Sequence, residues 1–329
     1  MRPLLLKGHE RSITRVRVNL EGDLIFSCGK DREPCVWFSD NGERLGSYEG
    51  HDGAVWDIDV SWDTKHLLSA SGDCSIKLWD VESGTQISSI QSPVTTRSCG
   101  FSYSGNLAAY TTKKMQVNPS SLRVFDIRDQ NQVTKAPSAA NSVMFKILDA
   151  DSESCLFTHL DQIVAAGVSN GHIYQFDIRK PEEAINFIRG HTANITDMQL
   201  SKDGNFLISS SSDKSAKLYH ADTLEPLKTY KSGKPVNSAA ISPTRDHIVL
   251  GGGEEAMSVT QTSASSGQFE ARMYHLVYEQ EFAKFKGHFG PINTLAFHPN
   301  GDTVITGGED GYIRVQELDD EYKNFVMEN

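Results

Sequence analysis

Histidine, a small hydroxyl and aspartate recur together in this chain, and together they could do chemistry. A serine beside an imidazole oriented by a carboxylate is the constellation of a hydrolytic triad. The sets are His9, Ser27, Asp31; His51, Ser69, Asp73; His191, Ser209, Asp213; and His288, Thr306, Asp310. Each histidine follows a glycine and precedes its aspartate by 22 residues, and the hydroxyl stands 4 residues before the aspartate. Another 6 residues on comes Trp37, Trp79, Tyr219 or Gln316. A catalytic reading would demand the same chemistry at four places. A structural reading asks only that one element repeat, with a hydrogen-bonded chain running from histidine through hydroxyl and aspartate towards the aromatic N–H, because buried polar groups need partners. The second reading is adopted, and no catalytic residue is assigned.

The element that must position these groups is a β-blade. Four copies of one spacing at roughly 40–45 residues are the signature of a WD-type β-propeller. Short β-branched or alternating runs such as Val55–Val60 and Ser75–Trp79 are punctuated by Glu21-Gly22, Asn41-Gly42, Ser83-Gly84, Asp203-Gly204 and Asn300-Gly301, as strands joined by tight turns require. The expected fold is all-β: a seven-bladed propeller spanning 1–318, with blades at about 9–50, 51–93, 94–141, 142–190, 191–234, 235–287 and 288–318. Residues 2–7 stand where an outer strand would complete the last blade, so the N-terminal strand should close the ring. Blades three and four lack the full signature, keeping Val124-Phe125-Asp126 and Gln175-Phe176-Asp177, with Asn170 where an aspartate would stand. Blade six carries an insertion over 252–269, and 319–329 forms a short acidic tail expected to fray or to dock on a partner.

Bulk composition narrows the function. The net charge of -11, from 43 acidic and 32 basic residues, argues against a grip on nucleic-acid phosphates, which needs clustered Lys and Arg. The 5 cysteines, odd in number and without a C-x-x-C pair, fit reduced thiols in the cytosol better than a disulfide framework or a zinc site. The 11 histidines include no H-E-x-x-H, and Gly251-Gly252-Gly253-Glu254-Glu255 lacks the Lys-Ser/Thr of a phosphate loop, so neither metal nor cofactor is assigned. No apolar run approaches the ~20 residues of a membrane helix. Partner contacts are expected instead at the position 6 residues after each repeat histidine, Arg15, Asp57, Asp197 and Thr294, which should open onto a rim of the central channel. Their spacing around the ring is expected to hold Arg15, Asp57 and Asp197 far apart, which leaves a propeller enzyme without a convergent site.

Several stretches are less generic than the repeat. They are Gly8–Thr14, Asn41–Gly46, Trp62–His66, Pro235–Ala240, His247–Met257 (HIVLGGGEEAM), Gly267–Arg272 (GQFEAR) and Gly287–Asn293 (GHFGPIN). On these the chain resembles the subunit I family of eukaryotic translation initiation factor 3 over nearly its whole length. Residues 112–185 match less well, Glu254 replaces a usual glutamine, and Gln316-Glu317 departs from the usual strand end. The resemblance implies a cytosolic, non-catalytic, monomeric propeller within a hetero-oligomer. It would hold a C-terminal segment of the factor's b subunit, contact the g subunit, and reach the small ribosomal subunit through the complex. It also implies a partner contact at Asp203, where the family receives basic residues of the b subunit; His220 stands where a second acidic residue would be. A WD-repeat adaptor of another complex, such as a ubiquitin-ligase receptor or signalling scaffold, is the alternative that the 252–269 insertion disfavours.

Overall fold

The computed structural model describes residues 3–134, 141–253 and 269–323, and these build seven four-stranded antiparallel sheets. The chain begins with β1 (Leu4–Lys7) and then forms the first sheet from β2 (Ile13–Val18), β3 (Leu24–Gly29), β4 (Cys35–Phe38) and β5 (Arg44–Ser47). The second sheet is β6 (Val55–Val60), β7 (His66–Ser71), β8 (Ser75–Asp80) and β9 (Gln86–Gln91). The third is β10 (Thr96–Phe101), β11 (Leu107–Thr112), β12 (Ser121–Asp126) and, after the short helix α1 (Gln130–Thr134), β13 (Met144–Ile147). The fourth is β14 (Ser152–His159), β15 (Ile163–Val168), β16 (His172–Asp177) and β17 (Asn186–Arg189). The fifth is β18 (Ile195–Leu200), β19 (Phe206–Ser211), β20 (Ser215–His220) and β21 (Pro226–Lys231). The sixth is β22 (Val236–Ile241), β23 (His247–Gly252), β24 (Glu270–His275) and β25 (Glu281–Lys286). The seventh joins β26 (Ile292–Phe297), β27 (Thr303–Gly308) and β28 (Tyr312–Glu317) to β1.

That last sheet closes the ring. Leu4 pairs with Val315 and Lys7 with Tyr312, so the N-terminal strand is the outer strand of the blade built from the other end of the chain. Each sheet is apolar on both faces and buries them against its neighbours. Leu6, Ile305 and Ile313 of blade seven pack with Ile13, Ile25 and Trp37 of blade one, and Phe26 and Val36 of blade one pack with Ile58 and Leu67 of blade two. The second strand of each blade is the most deeply buried, as in β7 and β19, which is why these strands are rich in small residues that let the sheets approach.

One boundary and the start of the tail differ from the sequence reading. The third sheet takes its outer strand from Met144–Ile147, beyond the break placed at 141, because α1 and its flanking chain lengthen the connection after β12. The start of the acidic tail is neither frayed nor free for a partner. Leu318 and Tyr322 are buried against Ala240, Phe282 and Val304, within a chain end that turns into α2 (Asp320–Lys323). The Tyr322 hydroxyl lies 3.1 Å from His247 Nδ1, and the Arg245 guanidinium sits 5.3 Å over its ring. The insertion expected over 252–269 lies almost wholly outside the described residues.

Removing residues 1–7 strips one strand from blade seven and exposes the face that Leu6 covers. The expected outcome is one cooperative melting transition lowered by about 5 °C or more, since burying such a side chain contributes roughly 1.5–3 kcal/mol. An unchanged melting temperature by circular dichroism would contradict closure by this strand.

Candidate functional site

The four repeated sets sit at one end of their blades, each tying the loop that enters the blade to the hairpin turn between its second and third strands. In blade two, Trp79 Nε1 donates to Ser69 Oγ at 2.8 Å, Ser69 Oγ lies 2.7 Å from His51 Nε2, and His51 Nδ1 lies 2.8 Å from Asp73 Oδ2. Blade one repeats this through Trp37, Ser27, His9 and Asp31 at 2.8, 2.7 and 2.7 Å. The order therefore differs from the one read off the spacing. The hydroxyl bridges histidine and tryptophan, and the aspartate lies at the far end and does not reach the indole. With the carboxylate accepting at Nδ1, the neutral imidazole carries its proton there and accepts the hydroxyl proton at Nε2. The same aspartate oxygen caps the following loop, accepting the backbone N–H of Asp52 at 3.0 Å.

Blade five keeps His191 2.7 Å from Ser209 and 2.9 Å from Asp213, with Tyr219 in the indole position. Blade seven pairs His288 with Thr306 at 2.8 Å and Asp310 at 3.1 Å, and Gln316 leaves a shallow cleft beside Arg314 where the aromatic ring would be. In blades one and five the glycine of the Gly-His pair follows from this packing. A Cβ on Gly8 would meet the Trp37 ring at 2.5 Å, and one on Gly190 would collide with the Tyr219 hydroxyl. Burial alone would raise the carboxyl of Asp73, but hydrogen bonds from His51 and Ser75 outweigh it and hold the group below the usual carboxylate range. Asp213 and Asp310 are lowered in the same way, chiefly against burial, by Ser215 and His191 and by His288 respectively. Burial lowers the His191 imidazole despite Asp213, keeping it neutral. Blade four substitutes another set, in which Asn170 Nδ2 and the Tyr174 hydroxyl donate to Asp149 at 3.1 and 2.9 Å.

The four residues expected on the channel rim do not face solvent. Arg15, Asp57, Asp197 and Thr294 are all buried inside the ring. Nor are the charged ones far apart: Arg15 Nε donates to Asp57 at 2.6 Å, and its Nη1 crosses the channel to Asp197 of blade five at 2.5 Å. The long guanidinium fork spans a distance that blade spacing alone makes look prohibitive. Around this bridge runs a girdle. Asp57 also accepts from Ser98 Oγ of blade three at 2.6 Å, and that hydroxyl accepts Cys155 N–H of blade four at 3.0 Å. Asp197 accepts from Ser238 of blade six at 2.6 Å, Ser238 accepts Leu295 N–H of blade seven at 3.2 Å, and Thr294 accepts Val16 N–H of blade one at 3.2 Å. Burial alone would lower the Arg15 pKa, but Asp197 and Asp57 reverse this and raise it, so the cation is permanent. Ser98 and Ser238 were missed from the sequence. They occupy the Asp57 position in blades whose missing histidine hides the register.

This arrangement does not make a hydrolase. The one G-x-S-x-G pattern, Gly167–Gly171, lies in the hairpin turn joining β15 to β16, where a nucleophile turn would need a strand running into a helix. Each serine of the repeated sets is buried, the hydroxyls of Ser27 and Ser69 committed to histidine and tryptophan and that of Ser209 to His191. Among the described residues no cluster of His, Cys, Asp or Glu could hold a metal. Cys28, Cys35, Cys99 and Cys155 are free and buried, and burial pushes the Cys35 and Cys155 thiols up to about 12, so both stay protonated and inert. Asp203 is placed differently from the channel set. It is exposed in the turn between β18 and β19, and hydrogen bonds from Ser201 and Asn205 lower its carboxyl, so it presents a fixed negative charge.

Seven sheets closed by the N-terminal strand, four of them carrying the Asp–His–hydroxyl set and two of those the tryptophan as well, define a WD-repeat β-propeller. The family model described as EIF3I matches residues 1–328. The chain is 58% identical over 327 residues, 99% of each chain, to eukaryotic translation initiation factor 3 subunit I of Brugia malayi. It is 54% identical to the protein of that name from Caenorhabditis elegans over the full length of both, and 49% identical to that of Drosophila melanogaster over 328 residues. The chain belongs to the eukaryotic translation initiation factor 3 subunit I family.

Two outcomes test the polar sets. Asp73→Ala should destabilise by about 1–3 kcal/mol, since buried His51 and the Asp52 N–H lose a partly buried acceptor. Because Asp73, Asp213 and Asp310 titrate lower folded than unfolded, their stabilisation is present above about pH 4 and is lost as pH falls below it. Urea unfolding of wild type and variant at pH 7 and pH 3 should show the gap narrowing in acid. Arg15→Met should cost about 3–5 kcal/mol by leaving two buried carboxylates unpaired, and adding Asp57→Asn and Asp197→Asn should recover part of it. An Arg15→Met protein as stable as wild type would contradict the channel bridge.

Proposed function

We propose that this chain is a non-catalytic scaffold subunit of eukaryotic translation initiation factor 3, acting in the cytosol within a hetero-oligomer. Family membership over nearly the whole chain carries this reading. The structure supports it physically: the polar groups that could react are consumed in holding blades together, leaving a rigid disc whose loops and turns are available for contact. In this reading the propeller holds the C-terminal segment of the b subunit and contacts the g subunit, and through the assembly it helps the small ribosomal subunit recruit and scan messenger RNA. It does not read nucleic acid itself, as its net charge of -11 favours basic polypeptide partners. No helix among the described residues is long and apolar enough to cross a membrane.

Within this reading Asp203 meets a basic residue of the b-subunit segment. Asp203→Lys should weaken binding of that segment by at least tenfold, measured by calorimetry at moderate salt, with the melting curve of the ring retained. Unchanged affinity would remove Asp203 from the contact. Failure of the wild-type chain to bind either subunit would overturn the scaffold reading.

A further inference from the structure

The turns between first and second strands all lie on one side of the disc, and four consecutive ones present large apolar side chains to solvent. Leu20, Trp62 and Tyr103 occupy the same turn position in blades one, two and three, at 60%, 56% and 72% exposure. In blade four Leu160, one position further along, is 54% exposed. The equivalent residues of the remaining blades are Lys202, Pro243 and Pro299, so the apolar set forms an arc over one part of the ring. Scattered exposed apolar residues need no explanation, whereas a contiguous row does.

The arc is also fixed in shape. Asn19 Nδ2 donates to Thr64 Oγ1 at 3.3 Å, Trp62 Nε1 to the Ser104 carbonyl at 3.2 Å, and Ser104 N–H to Asp161 at 2.9 Å, stitching the turns of blades one to four in series. Trp62 packs beside Gly105, whose left-handed φ of +72° turns the neighbouring loop beneath it. Tryptophan and tyrosine in such preordered positions carry binding energy at low entropic cost.

Charge selects the occupant. The turns 19–23, 61–65, 102–106 and 158–162 contain Glu21, Asp23, Asp63 and Asp161 against a single lysine, Lys65, which pairs with Asp63 at 3.4 Å. Glu21 and Asp63 stand at the turn position that Asp203 holds in blade five, so the acidic series continues beyond the arc. Two copies of this surface set face to face would oppose like charges, and an anionic bilayer would be repelled. We propose that the turn face of blades one to four is a docking surface for a segment of a partner subunit in which large apolar side chains are flanked by lysine or arginine. This rests on the scaffold reading and extends it from the Asp203 turn of blade five to the apolar arc of blades one to four on the same face.

The test uses the full-length chain assembled with the other subunits of the factor, carrying the photocrosslinker benzoylphenylalanine in place of Tyr103. The expected result is a crosslink, located by mass spectrometry, to a basic, apolar-bearing segment of another subunit. In parallel, the double variant Leu20→Ser, Tyr103→Ser should lose at least tenfold in affinity for that subunit with an unchanged melting temperature, because neither side chain supports the core. A crosslink to a second copy of this chain, a crosslink to an acidic or wholly polar segment, or full affinity in the double variant would each overturn the proposal. Wild-type chain that fails to assemble with the factor would instead overturn the scaffold reading beneath it.

Discussion

A blade of this protein cannot stand alone, and that constraint organises everything else. Each four-stranded sheet is apolar on both faces, so each needs two neighbours, and the series ends only if it returns to its start. The return is made by β1, whose pairing with β28 joins the two ends of the chain inside one sheet. Ring closure then explains the core: no cluster belongs to one blade, and Leu6, from the N-terminus, is buried with Ile305 and Ile313 from the other end.

Closure brings a second problem, because the inner strands converge on a channel whose backbone and side-chain polar groups have little water. The solution is the girdle of Asp57, Ser98, Asp197, Ser238 and Thr294, with Arg15 reaching across to blade five. Replacing that triad by apolar groups could leave the ring as stable, as buried ion pairs balance Coulomb gain against desolvation. What the charges add is register, since one arginine and two carboxylates satisfy each other in only one arrangement of blades. The Asp–His–Ser–Trp chains do a local version of the same work, pinning each entering loop to its own hairpin. With both networks in place, the inner strands are tied across blades and the entering loops to their hairpins.

The architecture was legible in the sequence because a repeated spacing samples one geometry many times. His51, Ser69, Asp73 and Trp79 could be named as a set before their distances were known, and β1 could be assigned by what the last blade lacked. What the sequence hid was direction and reach. Spacing along the chain cannot say that the hydroxyl, and not the aspartate, touches the indole. Nor can it say that Arg15 spans the channel, since a position that looks like a rim in one blade is interior once seven converge. The blade-three boundary failed for a related reason: without histidine and aspartate, nothing in the sequence marked where β13 should lie after α1. Tyr322 stood out within the acidic tail, but spacing could not say that the surface it docks on is the ring's own, at His247.

The central claim, that this propeller serves as a scaffold within the initiation factor, is tested most directly by affinity purification of the tagged chain from cytosol at moderate salt, with the recovered proteins quantified by mass spectrometry. The account predicts recovery of the other factor 3 subunits in near-equal amounts together with small ribosomal subunits. Recovery of a different assembly without those subunits would leave the ring standing and contradict its assignment to translation initiation.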